Sequence, residues 1–258
     1  MNFRTQWLPI ALLLLLLAGC LALETPAPTP LPSPSPTIEP SPSPTIVWFP
    51  PTDTPVVIPT QQVTPTPGVM AELGEVIFRD QFSSAEEWTL PTTERGTINL
   101  AGGEINIIIN EPSSYLAATR EKPDVGDFYA EITASPILCS ADDEYGFLFR
   151  VYGREQYYRF ALTCGGEVRL DRFFGEGSAV LYPWTRSASV PVGAPSISKL
   201  AVLAVEDQLY LYINGDPQFS IPDQPLGVGS FGVYARSVGE TAVTVSFSDL
   251  LVREVLPK

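Results

Sequence analysis

The chain carries 29 Asp and Glu, 15 Lys and Arg and 10 Tyr, but no His. Zero His removes Ser-His-Asp triads, Cys-His dyads and every imidazole zinc site. Three Cys are too few for a four-thiolate zinc site. Any general base must then be a carboxylate or a Tyr. Two constellations carry the remaining chemistry. Asp142-Asp143-Glu144 is a run of hard oxygen ligands that suits Ca²⁺, or a solvated acidic loop. Tyr129, Glu131, Arg150, Tyr152, Tyr157, Arg159, Arg169 and Asp171 recur at alternate positions of successive apolar segments. Such a mixture gives aromatic platforms for sugar C–H faces, with planar donors and carboxylates for hydroxyls. It equally suits a cross-strand ion network on a solvated sheet face. Trp184 reads either as a loop platform over that face or as a packing residue.

The elements that must position these residues are strands. From residue 69 on, nearly every segment alternates with period two and is rich in β-branched and aromatic residues. Strands are predicted at 76–82, 97–100, 104–110, 115–120, 128–138, 145–152, 157–163, 167–174, 199–205, 208–213, 229–235 and 242–252. Gly102-Gly103, Gly153-Arg154-Glu155, Gly165-Gly166, Glu206-Asp207 and Asn214-Gly215 mark the turns. A dozen short strands and no sustained helical period mean an all-β sandwich or barrel. Alternation puts Phe128, Ala130, Ile132, Phe147, Phe149, Tyr158, Phe160 and Leu162 in the core. Sequential strands usually pair. The segments from 128 to 174 are therefore expected to form one meander, whose non-core face gathers Tyr129, Glu131, Arg150, Tyr152, Tyr157, Arg159 and Asp171.

The order of motifs supports a narrower reading. Asp80-Gln81-Phe82 is followed by Trp88, then Gly103-Glu104-Ile105-Asn106-Ile107, Asp127 to Ile132 and Glu144 to Arg150. Tyr157 to Phe160, Leu211 to Gly215, Gly229 to Val233 and Val245 to Leu250 complete the set. This series resembles the concanavalin A-like lectin/glucanase sandwich, in particular its laminin-G-like and 3-keto-disaccharide hydrolase-like branches. The resemblance covers residues 74 to 255 and implies a two-sheet antiparallel jelly roll. Glucanases of that fold use a Glu-x-Asp-x-x-Glu strand, which this chain lacks: Glu131 is followed by no Asp at the required spacing. The missing triplet, the proline-rich stalk and the acidic head favour a surface-displayed, non-catalytic binding module, for carbohydrate or for a protein. A divergent glycoside-active enzyme and an envelope spacer or adhesive protein without a small ligand stay open, because one sandwich serves all three.

The N-terminal region has a different composition. Arg4 precedes an apolar run, Leu8 to Ala18, that reads as an export signal too short to span a bilayer comfortably. Leu17-Ala18-Gly19-Cys20 resembles the lipobox of bacterial lipoproteins, which implies cleavage before Cys20 and lipidation of its thiol. Residues 21–68 hold 15 of the 27 prolines, among Thr and Ser. Proline fixes φ and removes donors, so this segment is expected to be a disordered polyproline II spacer. The expected organisation is a signal peptide (1–19), a lipidated linker (20–68) and a β-sandwich domain (69–258). The net charge of −14 argues against nucleic acid. The expected location is the cell envelope, lipid-anchored to a membrane and facing outside the cytoplasm, with the chain a monomer.

Cys139 and Cys164 are the other two thiols. An exported protein favours pairing. In the expected meander their strands are parallel next-nearest neighbours about 9.5–10 Å apart, so the loops past the strand ends must curl inward for a disulfide. Two buried, unpaired thiols are the alternative.

Cys20→Ser is expected to abolish both lipidation and signal cleavage. Palmitate-analogue labelling and membrane fractionation check this; a mutant that still labels and is cleaved normally would refute the lipobox reading.

Overall fold

A computed structural model describes residues 72–222 and 226–256. The signal segment, Cys20 and the spacer lie outside the described residues. The described chain is all β, without a helix. Its strands are β1 (Leu73–Asp80), β2 (Trp88–Thr89), β3 (Gly96–Ala101), β4 (Glu104–Ile109), β5 (Tyr115–Arg120) and β6 (Phe128–Leu138). Then come β7 (Glu144–Tyr152), β8 (Gln156–Thr163), β9 (Glu167–Phe174), β10 (Gly177–Arg186) and β11 (Ser198–Val205). The last are β12 (Gln208–Ile213), β13 (Asp216–Pro222), β14 (Ser230–Arg236) and β15 (Val243–Val255). They form two antiparallel sheets in a jelly-roll-like arrangement. The first is ordered β13-β12-β11-β6-β15-β4-β3, with β1 also on β15. The second is ordered β10-β9-β8-β7-β14-β5-β2.

The core lies between the sheets and follows from alternation. Ile105, Ile107 and Ile109 of β4 and Phe128, Ala130 and Ile132 of β6 are fully buried. They meet Phe147, Phe149, Tyr158, Phe160 and Phe231 of the second sheet in one cluster. Phe128 and Phe231 meet edge-on at 5.1 Å across the sheets, and Phe147 stacks on Phe231 at 5.7 Å. Two hairpins turn as the sequence predicts. Ala101 pairs with Glu104 around Gly102 (φ 66) and Gly103 (φ 80), and Ile213 pairs with Asp216 around Asn214 (φ 53) and Gly215 (φ 86). Positive φ at both central residues matches the twist of flanking strands.

The structure corrects the single meander. β7, β8, β9 and β10 are consecutive neighbours, but β6 belongs to the other sheet, between β11 and β15. The chain crosses from one sheet to the other between Leu138 and Glu144. β10 and β13 were not predicted from the sequence. They contain Pro183, Pro217 and Pro222, which interrupt a strand pattern; both are edge strands, where a missing N–H is tolerated.

Cys139 and Cys164 form a disulfide, with Cα atoms 6.3 Å apart. The pair is as expected but its setting is not. Cys139 follows β6 in one sheet and Cys164 follows β8 in the other, so the bond joins the two sheets rather than bridging next-nearest strands of one. Gly193 N donates to Cys164 O at 2.7 Å, and Ser196 N to Pro136 O at 3.2 Å, tying the 187–197 loop to the same end.

The disulfide closes a loop of sequence separation 25. Replacing both Cys with Ala is expected to cost about 3 kcal/mol of unfolding free energy, measured by denaturant titration. Two alkylatable thiols in the unreduced, denatured protein would show that the bond is not formed.

Candidate functional site

The outer face of the second sheet is where the chemistry collects. β8 presents Tyr157, Arg159 and Ala161 outward, and β9 presents Arg169, Asp171 and Phe173. β14 adds Gly232 and Tyr234, β5 adds Tyr115 and Ala117, and β7 adds Gly146 and Leu148. The middle of this face is paved with small residues, and Tyr234 lies over Gly146. A Cβ at Gly146 would fall 2.0 Å from Phe160 O and 3.1 Å from the Tyr234 ring. Leu148, Val151, Ala161 and Tyr234 are buried in a second apolar cluster on this side, with Ala117, Tyr157 and Trp184 packed against it. This face is therefore not a solvated ion network.

Asp171 is 1% exposed. Its Oδ2 accepts from Arg159 Nε at 3.2 Å and Nη2 at 2.8 Å, and its Oδ1 accepts from Arg169 Nε at 2.7 Å. The two guanidiniums are in turn stacked on rings. Arg159 lies over Phe173 at 4.9 Å and over Tyr234 at 5.5 Å, and Arg169 lies over Trp184 at 5.6 Å. Tyr157 stacks on Phe173 at 4.6 Å and Tyr115 on Tyr234 at 5.4 Å. Burial opposes charge on Arg159, but Tyr234, Asp171 and Glu144 outweigh it and raise its pKa. It stays a cation at any working pH.

Beside this lattice, between β5, the β7–β8 turn and residues 89–93, lies a cavity of about 330 Å³. Tyr115, Tyr157, Leu148 and Val151 give it apolar walls, and Thr89, Thr93 and Thr119 supply hydroxyls. Arg154 is its one charged lining residue. The wall at Thr89 is held from behind. Asp80 accepts Trp88 Nε1 at 2.9 Å, Phe82 N at 2.7 Å and Arg120 Nε at 3.2 Å. Arg120 also pairs with Glu87. The Asp80-Gln81-Phe82 and Trp88 motif thus fixes the approach to the cavity.

The sequence-predicted residues divide into groups. Tyr157, Arg159, Asp171 and Trp184 come together on this face, Trp184 from strand β10 as a packing residue rather than from a loop. Tyr129 and Glu131 do not join them: they sit on the outer face of the other sheet, where Tyr129 Oη donates to Glu131 Oε2 at 2.8 Å and Lys199 pairs with Glu131 at 3.2 Å. Arg150 is also displaced. It sits at φ 50 in a β-bulge, buried, with Nη1 donating to Leu226 O at 2.7 Å. Tyr152 is exposed at the end of β7. Among Asp142, Asp143 and Glu144, the Asp143 oxygens accept Ser140 N at 2.6 Å and Val238 N at 2.9 Å, and Glu144 pairs with Arg236 at 3.1 Å. Among the described residues, no three His, Cys, Asp or Glu side chains gather as a metal ion requires. Sequence reasoning missed Tyr115, Tyr234 and Arg154. The first two alternate correctly with core neighbours, but only the strand order reveals that β5 and β14 share this sheet.

The sequence matches no family model and no curated protein. Solved structures share the fold. The carbohydrate-binding module CBM66 from Bacillus subtilis is 15% identical with a TM-score of 0.53, over 65% of this chain and 96% of its own. A Bacillus subtilis protein of unknown function with a galectin-like fold is 13% identical with a TM-score of 0.58, over 73% and 100%. A Bacteroides ovatus mixed-linkage glucan GH16 protein, solved with a product, is 11% identical with a TM-score of 0.53, over 68% and 99%. At such identity the likeness is one of fold.

Burial raises the pKa of Tyr157 and places that of Tyr234 well above the ordinary value of 10.0. A raised phenol pKa stabilises the fold fully below pH 10, and that contribution is lost as pH climbs past it. The melting temperature is therefore expected to fall above pH 10, less steeply in Tyr234→Phe. The Tyr234 hydroxyl has no partner among the described residues, so this variant is expected to match the wild type at neutral pH. Equal alkaline slopes would contradict the assignment.

Proposed function

We propose that the chain is a non-catalytic carbohydrate-binding module, displayed outside the cytoplasm on a lipid-anchored, proline-rich spacer. The observation that carries this reading is the cavity beside Tyr115 and Tyr157. It pairs aromatic walls with threonine hydroxyls and is lined by no carboxylate. Sugar rings offer apolar C–H faces and a rim of hydroxyls, which such a lining complements. Glycoside hydrolysis instead needs two carboxylates flanking the scissile bond. The buried carboxylates of this face are engaged elsewhere, Asp171 by two arginines and Glu144 by Arg236. The fold shared with CBM66 and a galectin-like protein supports the same reading. The lipobox at Cys20 and the spacer at 21–68 support surface display.

A glycan-array screen of the purified full chain tests the proposal and is expected to return a saccharide class. Tyr157→Ala is expected to weaken that binding about tenfold, or 1.4 kcal/mol, while Tyr157→Phe keeps most of it. An empty array points instead to a spacer or adhesive protein. Binding unchanged in a folded Tyr157→Ala variant removes this cavity as the site.

A further inference from the structure

The first cavity does not stand alone. A second, also of about 330 Å³, shares Thr89, Thr119, Val151, Gly153 and Arg154 with it. It then adds Arg120, Glu121, Asp124 and Tyr152. A third, of about 380 Å³, begins on the other side of Tyr152 and is lined by Arg150, Gln156, Leu226, Gly227 and Val228. The three are strung around the β7–β8 turn, where Gly153 at φ 65 makes the reversal. Consecutive cavities share walls, so the row leaves the sheet face and turns over the end of β7. Tyr152 stands between the second and third and is 62% exposed. An aromatic ring that open takes no part in the core, and flat rings in open grooves stack well on sugar faces.

Resting on the carbohydrate-binding reading, we infer that the ligand is taken as a neutral polysaccharide chain rather than as a single sugar, with Arg154 and Tyr152 as successive contacts along it. A monosaccharide fills one cavity and gains nothing from the others. A chain of several units occupies all three. The charge order argues for neutrality. Arg154 is the sole charge in the first cavity; in the second, Arg120 is already paired with Asp80 and Glu87, and the chain next meets Glu121 and Asp124, in a protein of net charge −14. A repeating anion is repelled there.

Calorimetry on the full chain tests this with cello-, laminari-, xylo- and fructo-oligosaccharides from monosaccharide to hexasaccharide, and with oligogalacturonides as the anionic ladder. Affinity is expected to rise about tenfold or more along at least one neutral ladder, and the oligogalacturonides are expected to bind more weakly. Tyr152→Ala is expected to shrink the long-to-short affinity ratio, and Arg154→Ala to reduce affinity from the disaccharide upward. A monosaccharide that binds as tightly as its hexasaccharide overturns the inference. So does an unchanged ratio in Tyr152→Ala, or tighter binding of the anionic ladder. If the array finds a glycan but no ladder binds, this inference alone falls; if the array is empty, the reading beneath it falls too.

Discussion

One residue in a left-handed conformation sets the geometry of the whole face. Arg150 has φ 50 inside β7, where a non-glycine residue pays a strain of about 1–3 kcal/mol. The bulge breaks the alternation: Phe149 faces the core, yet Val151, two residues on, faces the opposite cluster. Its consequences run in both directions. Inward, the Arg150 guanidinium holds Leu226 O and Gly126 O, joining two loops at the end of the sandwich. Outward, Val151 becomes part of the cavity floor and Tyr152 is carried to the end of the sheet. Gly229 makes the bulge possible. A Cβ there would lie 2.4 Å from the Arg150 carbonyl carbon, so only glycine lets the two backbones approach. Val125 and Gly229 then exchange hydrogen bonds at 3.0 and 3.3 Å and lock the arrangement.

The middle of the second sheet is buried on both faces, which is unusual for an antiparallel sheet with one face on the core. That is why β7 from Glu144 to Val151 is buried at every position. Packing on the second face comes from rings and guanidiniums as well as from the aliphatic Leu148, Val151 and Ala161. A buried carboxylate is costly unless its lone pairs are matched. Asp171 receives donors on both oxygens; Arg159 lies over two aromatic rings and Arg169 over the Trp184 ring. Such a lattice is directional, so it holds Tyr157 against Phe173 in one orientation. A purely apolar cover of equal area would leave that ring more freedom. The wall of the cavity therefore derives its shape from an ion network that has no contact with the cavity itself.

Period-two alternation made the fold class and most core residues legible, because each strand states which of its faces is apolar. It does not state which sheet a strand joins. Tyr129 and Glu131 were grouped with Tyr157 and Arg159 because successive strands usually pair, whereas β6 and β7 lie on opposite layers. The disulfide shows the same limit: the pairing of Cys139 with Cys164 followed from export chemistry, but its role as an inter-sheet bond depended on the crossover. Arg150 was misplaced for a different reason. A bulge is an event of local geometry, and its enabling residue, Gly229, is remote in sequence. Pro-containing β10 and β13 were illegible because an edge strand tolerates what a central strand forbids.

The positions of the two rigid devices relative to the cavities have a physical logic. β8 runs from Gln156 at the turn that carries Arg154 to Thr163, beside Cys164. The covalent bond between the sheets is thus at one end of β8 and the row of cavities at the other. At the disulfide end, the backbone of Gly193 and Ser196 is also fastened to Cys164 and Pro136. At the cavity end, no covalent link joins the layers among the described residues. There the Arg150 bonds to Leu226 O and Gly126 O are made to carbonyls on loops. Hydrogen bonds to loop carbonyls are the weaker of the two kinds of link. A scaffold fastened covalently at one end leaves the other free of cross-links, which fits the proposal of a groove that takes a chain lengthwise. The strands hold Tyr157 and Thr119 on either side of the first cavity, and the turn at Gly153 and the loop at Leu226 line the cavities that follow.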